Sequence, residues 1–431
     1  MSFFMVQKDK FKESHERRMS EKLQPPRGTQ DLVGEDYRRH AYIIETAQRI
    51  AENFGYEGIA TPIFESTAVF KRTIGETSDI VGKEMYTFED RGKEELTLRP
   101  EGTAGVIRAV ISTGLTQNMP LKLIYNGPMF RYERPQLGRR RQFHQLGVEY
   151  LGVAHPYADV ETIALAVQIL KALGVFDKTV LEINTIGDSA SRQAYRQALI
   201  DYFTPYKDKL SHDSQDRLVR NPLRILDSKD AGDQAIIEHA PEFETYLNDT
   251  SRDFFAHVCA GLDQLAIPYK INRRLVRGLD YYNHTAFEFV TTELGAQGTV
   301  LAGGRYDGLM SQMGGPETPG VGWALGIERL ALLINSLTDQ PRPIAVIPVG
   351  ETAFATCFSL TMKLREADCK VDLAYSGNVG KRLKRANKVN AQFAVMIGDD
   401  ELANQQAIIK NLDSGEQKTV AISEVFEYLS N

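Results

Sequence analysis

Cysteine is scarce in this 431-residue chain, and the three present, Cys259, Cys357 and Cys369, lie far apart with no CxxC pair. That spacing argues against a disulfide framework or a structural zinc site and fits a reducing compartment. No apolar run is long enough to span a bilayer, so no membrane partner is expected. The opening "MSFFMVQKDKFKESHERRMSEKL" has no signal-peptide core. Residues 1–20 therefore read as a tail, with Met19 an equally good start, and a cytoplasmic protein is expected. The glycine-rich stretches "AGGRYDGL" and "GVGWALGIERL" match neither GxGxxG nor GxxxxGK[ST], which leaves the familiar nucleotide folds unsupported. No metal-ligand spacing, nucleophile–base pair or fixed-period repeat stands out. The lack of a nucleophile leans toward chemistry done by positioning and charge stabilisation, as in transfer at a phosphate.

What is present is an ordinary globular composition, 42% hydrophobic and 25% charged, in a chain long enough for two or three domains. The net charge of -6 argues against an indiscriminate nucleic-acid coat. Yet "FRYERPQLGRRRQFHQLGVEY" packs Arg131, Arg134, Arg139, Arg140 and Arg141 into its first twelve positions. Such a local patch outweighs the sum for a polyanion ligand.

Apolar Ile43, Ile44, Ala47, Ile50, Ala51 and Phe54 recur at helical spacing. Two strand-like runs flank the arginine-rich turn and predict an antiparallel hairpin. A helix is expected from about Tyr157 to Leu173. From Asp188 to Pro268 the chain turns helical and polar, which reads as an insertion. "GVGWALGIERLALLINSL" reads as a strand entering an apolar helix, and "TDQPRP" as a linker. Beyond it "IAVIPVG", "KVDLAY" and "FAVMIG" alternate with helical stretches, as in a small α/β domain.

Side chains alternate across a strand, so Met129, Arg131 and Glu133 share a face, as do Phe143, Gln145, Gly147 and Glu149. Leu146, Val148 and Tyr150 are then free to enter a core. Charges on one buried face need partners, and a ligand with both cationic and anionic groups would supply them. A structural ion pair on a solvated sheet face would account for the hairpin equally well. In "TLRPEGT", Thr97 and Arg99 share a face and a turn presents Glu101; in "LVRGLDYY", Arg277 precedes Asp280, Tyr281 and Tyr282. An ordinary surface turn and a core tyrosine pair are the plainer readings of these two. Arg329 is either a surface charge or a flat guanidinium offered to a base or phosphate. His144 reads as a packed or solvated histidine.

Taken together, "FRYERP" with "RRRQFHQLGVE" resembles motif 2 of the class II aminoacyl-tRNA synthetases, and "GIERL" resembles motif 3. "TLRPEGT", "LVRGLDYY", "PRGTQD" and "AGGRYDGL" resemble signatures of the histidyl-tRNA synthetase family, over nearly the whole chain from about Leu23. The resemblance implies an α+β catalytic domain with a mostly antiparallel sheet over residues 21–335, a helical insertion at about 188–268, and a C-terminal α/β anticodon-binding domain over 341–431. It implies ATP with Mg²⁺, L-histidine and tRNA(His) as ligands. Arg131 would grip the α-phosphate, with Arg277 beside it and the attacking carboxylate, and Arg139 near the outer phosphates. Phe143 and Arg329 would sandwich adenine. Glu101, Thr103 and Gln145 would bind the α-amino group, Glu149 and Tyr282 the imidazole, with Tyr281 and Tyr306 lining the pocket. Arg140 and Arg141 in the loop would reach tRNA.

A buried carboxylate and phenol on the imidazole would reject apolar side chains by roughly 10⁴–10⁵-fold, which makes an editing domain unnecessary. The insertion is then either a tRNA acceptor clamp or a stabilising element. In the tail domain "KRLKRANK" carries Lys381, Arg382, Lys384, Arg385 and Lys388, a basic stripe suited to tRNA phosphates or a solvated face. The motif 1 region, "IFESTAVFKRTIG", implies a homodimer. The rival reading is a catalytically silent, synthetase-like regulatory subunit of histidine biosynthesis; such paralogues lack the tail domain and have eroded signatures. A synthetase for another amino acid should not carry "LVRGLDYY".

Overall fold

Helix α1 (Glu35–Asn53) buries Ile43, Ala47, Ile50 and Ala51 along one face, the stripe its spacing predicts. The computed structural model describes residues 23–75, 78, 80–275, 281–295, 298–335, 337 and 341–430. These fall into two compact units, Met1–Asn335 and Ser336–Asn431.

After α1 come β1 (Glu57–Gly58), β2 (Phe64–Ser66) and α2 (Thr67–Ile74). β3 (Tyr86–Glu89) and β4 (Glu95–Leu98) complete a three-stranded sheet of order β2-β4-β3. α3 (Thr103–Ser112) leads to the hairpin, β5 (Leu121–Phe130) and β6 (Gln142–Leu151), followed by α4 (Tyr157–Ala172) and β7 (Val180–Thr185). Next is the helical run α5 (Ser189–Phe203), α6 (His212–Arg220), α7 (Ala231–Ile237) and α8 (Asp249–Gln264). β8 (Lys270–Ile271), β9 (Asn283–Val290), β10 (Thr299–Arg305), α9 (Leu309–Gln312), β11 (Gly320–Gly326) and α10 (Ile327–Leu333) close the first unit.

The main sheet has the order β1-β5-β6-β11-β10-β9-β7-β8. It is antiparallel except where β1 joins β5 and β7 joins β8. Period-two alternation sorts its side chains. Leu146, Val148, Phe287, Phe289, Trp323 and Leu325 enter one core with Ile43, Ile50, Ile163 and Leu170 of α1 and α4. Burying each such side chain stabilises by roughly 1.5–3 kcal/mol. The alternate residues emerge on the opposite face, where the site lies.

One buried ion pair fixes this sheet to its helices. Arg305 of β10 and Asp159 of α4 are both fully buried, with Nε 3.0 Å from Oδ2. A charge pair so desolvated is tolerable only because further bonds satisfy it, here from Arg305 to the Val153 carbonyl and Asp307.

The helical run is cut into pieces by its caps: Asp188, Ser211, Asp230 and Asn248 each accept from backbone N–H groups of the following turn. Its own core, Tyr195, Leu199, Phe203, Leu218, Ile237 and Phe243, ends at Leu247. α8 instead sends Val258 and Leu262 into the main core. Gly261 lets α8 approach α4, since a β-carbon there would overlap Val160. The separately packed insertion is therefore shorter than the polar stretch suggested, because polarity marks exposure and α8 is polar only on its outer side.

In the second unit β12 (Ile344–Pro348), β13 (Val371–Leu373), β14 (Phe393–Ile397), β15 (Gln406–Asn411) and β16 (Gln417–Ala421) form a sheet of order β13-β12-β14-β15-β16. α11 (Phe354–Glu366) covers one face through Cys357, Leu360 and Leu364, and α12 (Val379–Lys388) the other through Ala386 and Leu383.

Candidate active site

The hairpin register sets Met129 opposite Phe143, Gly127 opposite Gln145, Tyr125 opposite Gly147 and Leu123 opposite Glu149. These side chains share the face opposite α1 and α4, where Val106, Ile107 and Val110 of α3 and Leu309 of α9 pack against Leu123, Tyr125 and Met129. Glycine is required at 147, where a β-carbon would overlap the Tyr125 ring, and at 322, where it would meet the Glu149 carboxylate and the Val148 carbonyl. Tyr125, in step with Met129 on β5, joins this face opposite Gly147.

Glu149 is 1% exposed. The Tyr306 hydroxyl donates to its Oε2, and Oε1 accepts no hydrogen bond among the described residues. Burial raises this carboxyl to about 8, against the easing pull of Tyr306 and the nearby Thr103 hydroxyl. Tyr281, Tyr282 and Tyr306 wall it in, with ring centroids 4.6 Å apart for the first pair and 5.7 Å between Tyr281 and Tyr306. Glu101, also buried, caps α3 by accepting from Thr103 N at 2.7 Å and Ala104 N at 2.9 Å. Burial raises its pKa, and these two bonds oppose the rise.

A cavity of about 200 Å³ is lined by Glu101, Tyr281 and Tyr282 of this cluster. Its lining includes Glu101, Thr103, Arg131, Arg139, Arg140, Phe143, Gln145, Tyr281, Tyr282 and Arg329. Gln145 Oε1, like Glu149 Oε1, is buried without a bonding partner among the described residues. Arg131 lies 5.3 Å over the Phe143 ring and donates from Nε to the Pro100 carbonyl at 2.9 Å. Arg139 is ion-paired with Glu133, which also lines the cavity. Arg329, at the start of α10, donates from Nε to the Gly138 carbonyl at 3.1 Å. The cavity thus combines cationic Arg131, Arg139, Arg140 and Arg329 with the buried Glu101 carboxyl and the phenols of Tyr281 and Tyr282.

Arg99 ties its strand to neighbouring segments, its guanidinium donating to the Pro128 and Thr61 carbonyls at 2.9 and 3.0 Å. Arginines expected to meet tRNA have partners within the protein. Arg141 is turned into the hairpin base, stacked 3.8 Å over Tyr132 and donating to the Glu133 carbonyl. In the second unit α12 does form at the basic run, but Arg382 donates to the Pro348 carbonyl and Arg385 pairs twice with Asp372, at 2.8 and 2.7 Å. Lys381, Lys384 and Lys388 remain exposed. Arg277 lies outside the described residues.

No metal-type spacing is visible along the sequence. The fold brings a metal-type cluster together among the described residues, His40, His144 and Glu328, with ligand atoms all within 4.8 Å of one another. They come from α1, β6 and α10, so no local spacing could reveal them. Among the described residues no helix is long and apolar enough to cross a membrane.

Residues 28–330 match the family described as histidyl-tRNA synthetase, and residues 343–431 the anticodon binding domain. The histidine--tRNA ligase of Rhodospirillum rubrum is 57% identical over 409 residues, covering 95% of this chain and 99% of that protein. That of Gluconacetobacter diazotrophicus is 56% identical over 408 residues, covering 95% and 98%. The crystal structure of apo S. aureus histidyl-tRNA synthetase is 37% identical, covers 95% of this chain and all of that one, and superposes with a TM-score of 0.81. A Bacillus halodurans structure titled as an ATP phosphoribosyltransferase regulatory subunit/histidyl-tRNA synthetase shares the fold at 23% identity and a TM-score of 0.64.

Proposed function

This chain belongs to the histidyl-tRNA synthetase family, and from that premise we propose a role for each group in the cavity. The reaction is the ATP-dependent attachment of histidine to tRNA. Its first step joins the histidine carboxylate to the α-phosphorus of ATP and releases pyrophosphate; its second moves the histidyl group to the 3′-terminal hydroxyl of tRNA and releases AMP.

The imidazole sits between Glu149 Oε1 and Tyr282, against Tyr281 and Tyr306. Below about pH 8 the Glu149 carboxyl holds a proton that it can share with an imidazole nitrogen. Glu101, Thr103 and Gln145 take the α-amino group. Arg131 and Arg277 flank the α-phosphate, where negative charge builds as the bond to pyrophosphate breaks; preorganised cations there lower the barrier. Arg139 turns from Glu133 to the outer phosphates, and ATP enters as its Mg²⁺ complex. Phe143 and Arg329 hold adenine between a ring and a guanidinium. Arg140 meets the tRNA acceptor end, and Lys381, Lys384 and Lys388 meet its anticodon arm.

The observation that carries this reading is the buried, unpartnered Oε1 of Gln145 in the wall of a cavity that also holds Glu101, Tyr281, Tyr282 and the arginines. An empty acceptor so desolvated is costly unless a ligand donor meets it. The test is pyrophosphate exchange with ATP, which should require L-histidine; exchange with a different amino acid would overturn the assignment. The silent regulatory reading gains nothing here, since the tail unit and the histidine-site groups are both present.

Dimerisation is read from the small sheet, whose edge strands leave Phe64 and Phe88 52% and 44% exposed. Phe64→Glu should yield monomers by gel filtration, and an unchanged elution volume would exclude this face. The free cysteines fit a cytoplasmic setting.

A further inference from the structure

We propose that Glu328 and His144 are positioning residues for the nucleotide, a clasp that sets the gap between Arg329 and Phe143; this rests on reading those two side chains as the adenine clamp. His144 follows Phe143 on β6, and Glu328 precedes Arg329 on α10. The β6–β11 ladder runs from Leu151–Gly320 to a last pair at Gln145–Gly326. Past that pair β11 turns into α10, so the backbone at His144, still opposite Pro128 of β5, loses its partner on the β11 side beside the clamp.

The Glu328 carboxylate fills the vacated position. Both its oxygens accept from the His144 backbone N–H, at 3.0 and 2.9 Å, and Oε1 lies 2.8 Å from His144 Nδ1. An ionised acceptor gripping a backbone and a ring donor of one residue is shorter and stronger than a neutral contact and restricts orientation. His40 of α1, only 7% exposed, sets its ring edge-on to that of His144 at 5.5 Å and 85°, backing the imidazole. Burial pulls the His40 pKa down and favours its neutral form. The clasp thereby ties α1, β6 and α10 together one residue from each half of the clamp.

Two histidines and a glutamate are also ligands of the kind Zn²⁺ takes. Here the carboxylate is already occupied by three donor contacts, and Arg39, Arg139 and Arg140 line the same groove. That cationic wall favours the organic clasp over a metal.

Pyrophosphate-exchange kinetics on the full-length enzyme separate the possibilities. Misplacing a clamp by a fraction of an ångström should act on ATP rather than on histidine. Glu328→Gln and His144→Leu should each raise KM for ATP about tenfold or more and change KM for histidine by less than about twofold. His144→Asn, whose amide N–H can stand where Nδ1–H stands, should recover most of the loss. A lowered melting temperature with an unchanged KM for ATP would make the contact merely structural and overturn the inference. So would stoichiometric zinc that survives chelation in the wild type and disappears in Glu328→Gln. Arg329→Ala is the reference: if it leaves KM for ATP unchanged, the clamp reading itself falls and takes the clasp with it, whereas an effect of Arg329→Ala without one from Glu328→Gln or His144→Leu removes the clasp alone.

Discussion

The hydroxyl of Tyr306 donates to one oxygen of Glu149, and the other oxygen of that carboxyl is buried with no bonding partner among the described residues. The two residues are 157 positions apart in sequence. Their contact orients the carboxyl, and it makes the pocket's chemistry depend on one titrating group.

The Glu149 carboxyl titrates at about 8 in the folded protein, against the ordinary 4.5. Between these values the native state keeps a proton that the unfolded chain has released. Its contribution to stability is therefore complete below about pH 4.5 and is lost as pH rises through about 8, with a slope on the order of 1 kcal/mol per pH unit between these values. Glu149→Gln removes this dependence. Its melting temperature should fall less than that of the wild type between pH 6 and pH 9, while histidine-dependent exchange drops by roughly two orders of magnitude. Parallel wild-type and variant melting curves over that range would refute the assignment.

Gly322 packs against Glu149 across the β6–β11 pair. Gly322→Ala should destabilise by about 1–3 kcal/mol through overpacking and raise KM for histidine. Gly58→Ala, where a β-carbon meets nothing within 4 Å, should stay within about 0.5 kcal/mol by denaturant unfolding.

Arg277 is assigned to the α-phosphate. Arg277→Ala should cut pyrophosphate exchange by roughly 10²–10³ with an unchanged melting temperature. Near-normal exchange would take the role from it.

The tail helix divides its cations between folding and solvent. Converting Lys381 and Lys384 to Gln should raise KM for tRNA and flatten the salt dependence of charging, by about one slope unit per phosphate contact, with exchange unchanged. Arg382→Gln should instead lower stability, since it removes a donor from the Pro348 carbonyl. Equal effects of the two changes on the salt slope would argue against this division.

Periodicity made much of the scaffold legible. The recurrence of Ile43, Ala47, Ile50 and Ala51 at helical spacing marked the buried face of α1, and the helix expected from Tyr157 to Leu173 is α4, ending at Ala172. The alternation in "RQFHQLGVEY" marked which side chains of β6 face away from the core, and the register agrees. The arginine patch was visible as composition, but its division of labour was not. Arg99, Arg141 and Arg382 carry the same charge as Arg131 and Lys384, and only their neighbours make them structural ties.

The chain alone determined the faces of its strands and helices and the residue types available for the chemistry, since those follow from local spacing. Which groups meet was decided by tertiary structure. Tyr306 reaches Glu149, Glu328 reaches His144, and α8 returns to the main core through contacts between segments far apart in sequence. Such pairings depend on sheet order and helix docking, and local sequence carries no record of them because the interactions exist only once the whole sheet has closed.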